Sequence, residues 1–176
     1  HGAELLEECW VYDVIKEDGF VKGVKAKYRG EYVEFRSKLV IGADGSHSRV
    51  AKSIGQFPDD PASVAVVGRC YYEYVPMEGY LEIHFDQNVL PGYVWIFPSG
   101  KDPVTNVGLG FNAEIYMKEQ MKGRTLEDFL QVFIENNPHG ERLKNARRIG
   151  PWKGWRIPSG PQAMDNYGSG LMLIGD

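Results

Sequence analysis

Val40-Ile41-Gly42-Ala43-Asp44-Gly45-Ser46-His47-Ser48-Arg49-Val50 decides how the rest of the chain is read. Lys38 to Ile41 form a short apolar run bounded by glycine, the pattern of a buried strand. Ser46 or Ser48 is placed to cap a helix reaching about Ile54. Gly42-Ala43-Asp44-Gly45 makes the tight crossing between them, and its small residues let a ligand approach the backbone. The helix start is expected to offer unpaired N–H groups and a positive dipole end, which suits a pyrophosphate. Asp44 supplies an acceptor for sugar hydroxyls. The competing reading is an ordinary strand–turn–helix with no ligand.

The chain has 176 residues, 43% hydrophobic and 25% charged, which fits a soluble globular protein with one substantial core or two small lobes. A net charge of −4 gives no reason to propose nucleic acid as a partner. No apolar run reaches membrane-spanning length. The expected location is cytoplasmic, with peripheral contact to a membrane left open. Cys9 and Cys70 are expected to be two buried free thiols. His84 and Asp86 would share a strand face, but two ligands do not make a metal site, so no metal is expected.

Three strands open the chain, at about Glu8–Ile15, Phe20–Tyr28 and Tyr32–Arg36, joined by polar turns as an antiparallel meander. Phe57-Pro58-Asp59-Asp60-Pro61 marks a boundary. Beyond it, Val64–Val75, Tyr80–Phe85, Tyr93–Pro98 and Thr105–Phe111 read as four strands of an antiparallel sheet. Asn112–Lys122 is ambiguous between loop and short helix. Thr125 then caps a helix in which Leu126, Phe129, Leu130, Phe133 and Ile134 make one apolar stripe. Asn145–Lys153 reads as a further strand. Arg142, Lys144, Arg147, Arg148 and Lys153 make a basic run, read as a solvated face or as a contact for a phosphorylated substrate.

Leu90-Pro91-Gly92-Tyr93-Val94-Trp95-Ile96-Phe97-Pro98 is the second informative stretch. Alternation along a strand puts Tyr93, Trp95 and Phe97 on one face and Val94 and Ile96 on the other. The aromatic face either lines an apolar cavity or is simply buried between sheet and helix.

Gly42-Ala43-Asp44-Gly45-Ser46-His47-Ser48-Arg49-Val50 resembles the GADGxxSxV nucleotide motif of flavin-dependent hydroxylases and their relatives. Leu171-Met172-Leu173-Ile174-Gly175-Asp176 resembles their later strand-Gly-Asp motif. Tyr93-x-Trp95-x-Phe97-Pro98, with Asn106-Val107-Gly108-Leu109-Gly110, resembles the geranylgeranyl reductases. Gly2-Ala3-Glu4-Leu5 and Arg156-Ile157-Pro158 are similar to theirs as well. One departure is the single residue, Gly92, between Pro91 and Tyr93, where that family usually has two. Members of this family saturate polyprenyl double bonds in (bacterio)chlorophyll and archaeal lipid synthesis. The resemblance implies FAD as cofactor, NADPH or another reductant as electron donor, and an isoprenoid or polyprenyl-lipid substrate. It implies FAD contact at Gly42, Ala43, Asp44, Gly45, Ser46, Arg49, Gly175 and Asp176, and a substrate wall at Tyr93, Trp95, Phe97 and Pro98. No catalytic acid is assigned.

The expected fold is α+β, a partial FAD/NAD(P)-binding α/β lobe plus an antiparallel-sheet substrate domain covered by helix. The lobe takes residues 1–56 and 157–176, and the substrate domain 62–156. No GxGxxG follows a strand, so the chain is expected to be a piece of a longer flavoenzyme. Lys38–Ile41 and Leu171–Ile174 are expected to lie parallel in one sheet, because Asp44 and Asp176 can serve one FAD only from the same sheet edge. Other readings are an FAD-dependent hydroxylase, a quinone-reducing flavoprotein dehydrogenase, and a non-enzymatic lipid-binding domain.

Overall fold

The computed structural model describes residues 2–56, 60–101, 103–159 and 165–175. Two compact units divide the chain, His1–Pro58 with Gln162–Asp176, and Asp59–Pro161.

The first unit opens with the antiparallel meander β1 (Cys9–Glu17), β2 (Phe20–Tyr28) and β3 (Glu31–Arg36). Its turns, Asp18-Gly19 and Arg29-Gly30, have positive φ at both residues, the geometry that matches strand twist in tight hairpins. β4 (Val40–Gly42) follows, then a 3-10 turn at Gly45–His47 and the short helix α1 (Arg49–Ser53) capped by Ser48.

The second unit begins with β5 (Val64–Glu73), β6 (Glu82–His84), β7 (Tyr93–Pro98) and β8 (Val104–Asn112). β5 ends two residues before the expected Val75, where Tyr74 takes a left-handed φ of 63°. The ambiguous stretch after β8 is helical: α2 (Ala113–Gln120), capped by the Asn112 side chain on Glu114 N. α3 (Leu126–Asn136) starts in a complete Thr125–Asp128 capping box. β9 (Arg147–Pro158) is longer than expected and carries the chain on past Gly154, pairing Ile157 and Pro158 with Ala65 and Val64.

These strands form one antiparallel sheet in the order β6-β7-β8-β5-β9. Its core sits on one face. Val94, Ile96, Val107, Leu109, Cys70 and Tyr72 meet the apolar stripe of α3, and all five stripe residues are buried. Phe133 and Leu130 are the innermost of that stripe.

The chain then returns to the first unit as β10 (Tyr167–Gly168) and β11 (Leu171–Leu173). β11 lies beside β4 and parallel to it, with Leu171 opposite Val40 and Leu173 opposite Gly42. The two apolar runs are buried on one face only: Val40 and Leu171 are buried, but Ile41 and Met172 are about half exposed. Val14, Val21, Val50, Val40 and Leu171 form the core that joins β1, β2, α1, β4 and β11. Gly170 passes so close to β2 that an added Cβ would sit 2.1 Å from the Val21 carbonyl oxygen. Cys9 is half-buried rather than buried, and Cys70 is buried; both are free.

We expect Phe133→Ala to cost about 3–5 kcal/mol of unfolding free energy in denaturant titration. Thr125→Ala is expected to cost about 1 kcal/mol. A smaller loss at 133 than at 125 contradicts this packing.

Candidate functional site: a strand edge and an open aromatic face

The expected cofactor residues gather at the carboxyl ends of β4 and β11. Gly42 closes β4, and its carbonyl accepts from Ile174 N at 2.9 Å. A Cβ at Gly42 would sit 2.8 Å from the Leu173 side chain and 3.0 Å from that of Val50, so packing there favours glycine. Gly45 and Gly175 both take positive φ, and a Cβ at either would meet nothing within 4 Å. Arg49 lies over the Trp10 ring, 5.4 Å from its centroid. Ser46 forms part of the 3-10 turn, and Ala43 is exposed between strand and turn. Asp176 lies outside the described residues.

The expected free N–H groups beside Asp44 are not found. Asp44 Oδ2 accepts from Arg49 N at 2.7 Å and Val50 N at 3.2 Å, and its Oδ1 accepts from the Ser48 hydroxyl at 2.5 Å. Ser48 Oγ in turn accepts from Ala51 N at 2.8 Å. The N–H groups at the start of α1 are therefore occupied from within the chain, not held open for a phosphate. Partial burial works to raise the Asp44 carboxyl, but the bonds from Ser48, Val50 and Arg49 outweigh it and hold the group below its usual value. Oδ1 keeps a lone pair for one further donor, such as a sugar hydroxyl.

The substrate residues lie on the five-stranded sheet. Val94 and Ile96 face α3 and are fully buried, while Tyr93, Trp95 and Phe97 share the opposite face. Among the described residues Tyr93 is exposed on that face and Trp95 and Phe97 are half-buried, so the row is not enclosed between sheet and helix. The nearby cavity, of about 320 Å³, is bordered by Val75, Met77, Pro98 and Thr105, on the other side of the alternation. Pro98 is thus separated from the aromatic row. The rings of Phe85, Tyr93, Trp95 and Phe97 follow one another at centroid distances of 6.0, 6.1 and 6.3 Å. The Trp95 indole donates to Asn106 Oδ1 at 2.9 Å. It also covers Gly108, where an added Cβ would sit 2.2 Å from the ring. At Gly92 a Cβ would come 2.3 Å from the Gly110 carbonyl oxygen, so the single residue before Tyr93 must be glycine.

β6 inverts the usual polarity of an edge strand. Ile83 pairs with Trp95 on the open face and is 53% exposed, and the neighbouring Phe85 is 71% exposed. Glu82 and His84 point instead toward the helix side, where His84 lies 5.4 Å from the Phe133 ring centroid. Chain alternation alone did not reveal this, because the orientation of β6 depends on its register with β7.

Glu82 and His84 meet His139 there, with one ligand-type atom from each lying within 4.8 Å of the others. His84 Nε2 is 3.1 Å from Glu82 Oε2, and Arg142 binds the same carboxylate oxygen. A guanidinium on that oxygen opposes a second cation, and the cluster is an ion-pair pin between β6 and the segment after α3. Asp86, expected beside His84, instead bonds Asn137 and the Asn88 backbone. The basic run is likewise mostly paired: Arg147 with Glu73, Arg148 with Glu127, and Lys144 with Glu141 at 3.9 Å.

Burial pushes His84 below its usual 6.5, with Glu82 pulling the other way and His139 adding to the drop. Burial works to raise Glu82, but the bonds from Arg142 and His84 hold it below 4.5. The unfolded chain therefore binds protons more readily at both sites. This contribution to stability is complete above about pH 6.5 and is lost as pH falls through the folded pKa of His84 and then that of Glu82. Melting temperature should fall from pH 7 to pH 5, and His84→Gln should flatten that fall; an unchanged slope in the variant would exclude His84 as its source. Asp44→Ala should destabilise the chain by about 1 kcal/mol through uncapping of α1, with Asp44→Asn retaining part of the loss. Urea titrations of the two variants check this.

Residues 69–150 match the family described as geranylgeranyl reductase catalytic domain. The digeranylgeranylglycerophospholipid reductase of Methanocaldococcus jannaschii is 33% identical over 167 residues, 92% of this chain and 40% of its own length. That of Thermoplasma volcanium is 30% identical over 178 residues, 99% of this chain and 43% of its own. The chain thus spans less than half the length of these curated relatives. A solved geranylgeranyl bacteriochlorophyll reductase-like protein from Thermoplasma acidophilum superposes with a TM-score of 0.77 at 26% identity, over 95% of this chain and 41% of that one. The myxobacterial FAD-dependent halogenase CndH, at 22% identity and a TM-score of 0.72, covers 95% of this chain and 39% of its own and shares the fold. The fold, the motifs and these relatives agree: the chain is similar to the geranylgeranyl reductases, through the family match over residues 69–150 and through relatives aligned over nearly its whole length.

Proposed function

We propose that this chain is the prenyl-binding part of a flavin-dependent reductase that saturates polyprenyl double bonds. The observation that carries the reading is the inverted edge of the sheet. Ile83 and Phe85 join Tyr93, Trp95 and Phe97 on an open face, although the other face already has a complete core. Ile83, Phe85 and Tyr93 are exposed and Trp95 and Phe97 half-buried, and a contiguous apolar row of this kind is characteristic of a binding surface. A run of rings about 6 Å apart suits a long, flexible hydrocarbon, since aromatic faces contact it without demanding directional bonds. Trp95 turns its N–H to Asn106 and so presents an apolar surface. The Tyr93 hydroxyl has no hydrogen-bond partner among the described residues.

The edge at Gly42, Ala43, Asp44, Gly45, Ser46 and Gly175 fits the sugar part of FAD. Backbone is accessible at Gly45 and Gly175, and Asp44 Oδ1 retains one accepting position. The occupied N–H groups of α1 do not fit a role in pyrophosphate binding. Arg49 and Asp176 complete the set by resemblance to the family motif. Reduced FAD, when bound, supplies the hydride for an alkene carbon, drawing its electrons from NADPH or another reductant. The part of this chain is to orient the prenyl chain and exclude water around it. A substrate of this kind brings the protein into peripheral contact with membrane lipid; no helix among the described residues is long and apolar enough to cross a membrane.

Geranylgeraniol should quench the tryptophan fluorescence of the folded chain, and Trp95→Ala should weaken that binding about tenfold. Unchanged affinity in the variant removes Trp95 from the surface. In the enzyme carrying FAD, anaerobic reduction should add two hydrogens to the prenyl chain per double bond lost, read by mass spectrometry. Oxygen consumption with an oxygenated product would replace this reading with a hydroxylase.

A further inference from the structure

We propose that Arg69 and Lys153 form an anion subsite on the open sheet face, holding the phosphate head of a prenyl amphiphile whose chain lies along the aromatic row. The inference rests on the polyprenyl reading above. One cross-strand row carries it. Ile83 pairs with Trp95, Trp95 with Gly108, Gly108 with Arg69, and Arg69 with Lys153, crossing all five strands. Directly paired residues share a face, so this row lies across the open side. At a strand spacing of about 4.8 Å it spans about 19 Å. It is apolar at the β6–β7 end, lacks side chains at Gly108, and is cationic at the β5–β9 end.

The cations are not spent elsewhere. Arg142, Arg147 and Arg148 each bind a glutamate, but Arg69 and Lys153 have no acidic partner among the described residues. The Arg69 guanidinium lies 4.7 Å from the Tyr71 ring centroid, which holds it against the sheet face. Glu73, the acid on the same face of β5, is occupied by Arg147. Like charges directly opposite each other weaken a strand pair, and a bound anion relieves that repulsion.

A register shift creates the pair. Between the partners of Arg69 and Tyr71, β9 runs two residues ahead, bringing Lys153 opposite Arg69. Gly150, with φ of 73°, and Pro151 occupy this bulge, where a left-handed residue and a missing N–H are tolerated. A glycerophospholipid head and a free diphosphate share the chemistry the two cations recognise, and the two sources are separable by experiment.

Binding is measured by tryptophan fluorescence on the folded chain with four probes below their critical micelle concentrations: geranylgeranyl diphosphate, digeranylgeranylglyceryl phosphate, geranylgeraniol and inorganic pyrophosphate. At least one anionic prenyl probe should bind about tenfold more tightly than the alcohol, and added salt should erode that preference. The double variant Arg69→Gln/Lys153→Gln should abolish it while leaving geranylgeraniol affinity within about twofold. The prenyl probe that loses more identifies the source of the head. Retained preference in the variant overturns the subsite and leaves the polyprenyl reading standing. Pyrophosphate binding as tightly as the prenyl diphosphate severs the head site from the chain and also overturns it. If neither prenyl alcohol nor prenyl anion binds the folded chain, the subsite and the polyprenyl reading fall together.

Discussion

Burial of α3 against one side of the five-stranded sheet is the constraint on which the second unit depends. Phe133 and Leu130 meet Val94, Ile96, Val107 and Leu109, and these residues leave almost no surface to water. Once that face is closed, strand alternation dictates what the other face carries. Tyr93, Trp95 and Phe97 cannot turn inward without expelling Val94 and Ile96. The aromatic row is thus the necessary reverse side of a well-packed core.

Glycine keeps that reverse side low at its centre. Gly108 lies under the Trp95 indole, and Gly92 clears the Gly110 carbonyl. Neither has a φ that demands glycine, so close approach is the reason for both. The result is a face with rings at one side, little relief in the middle and cations at the other. Most of its neighbouring charges are neutralised in pairs. Exposed pairs of this type add little stability, about 0–1 kcal/mol each. Their greater effect is positional, because they distinguish the arginines already engaged from the two cations that are not.

In the first unit, Asp44 holds the start of α1. Its carboxylate caps α1 together with Ser48, and α1 brings Val50 into the core shared with β4 and β11. Three internal donors, Ser48 Oγ and the Arg49 and Val50 N–H groups, fix the orientation of the acid.

The amino-acid sequence by itself determined the meander, the aromatic alternation of β7, the capping box at Thr125 and the apolar stripe of α3. These rest on local periodicity and local capping chemistry, which act over a few residues. It also carried the two motif strands and, through their matching ends, the expectation that they run parallel. It did not show that the helix N–H groups beside Asp44 are occupied, since a donor and an acceptor five residues apart meet only in the folded turn. It did not show the inverted polarity of β6, where the short Glu82–His84 strand takes its facing from its pairing with β7. The ring of Glu82, His84, His139 and Arg142 and the Arg69–Lys153 pair belong to the tertiary structure alone. In both, the partners are far apart in the chain, and strand register or the turn after α3 decides which side chains meet; a register slip of one residue would turn each to the opposite face.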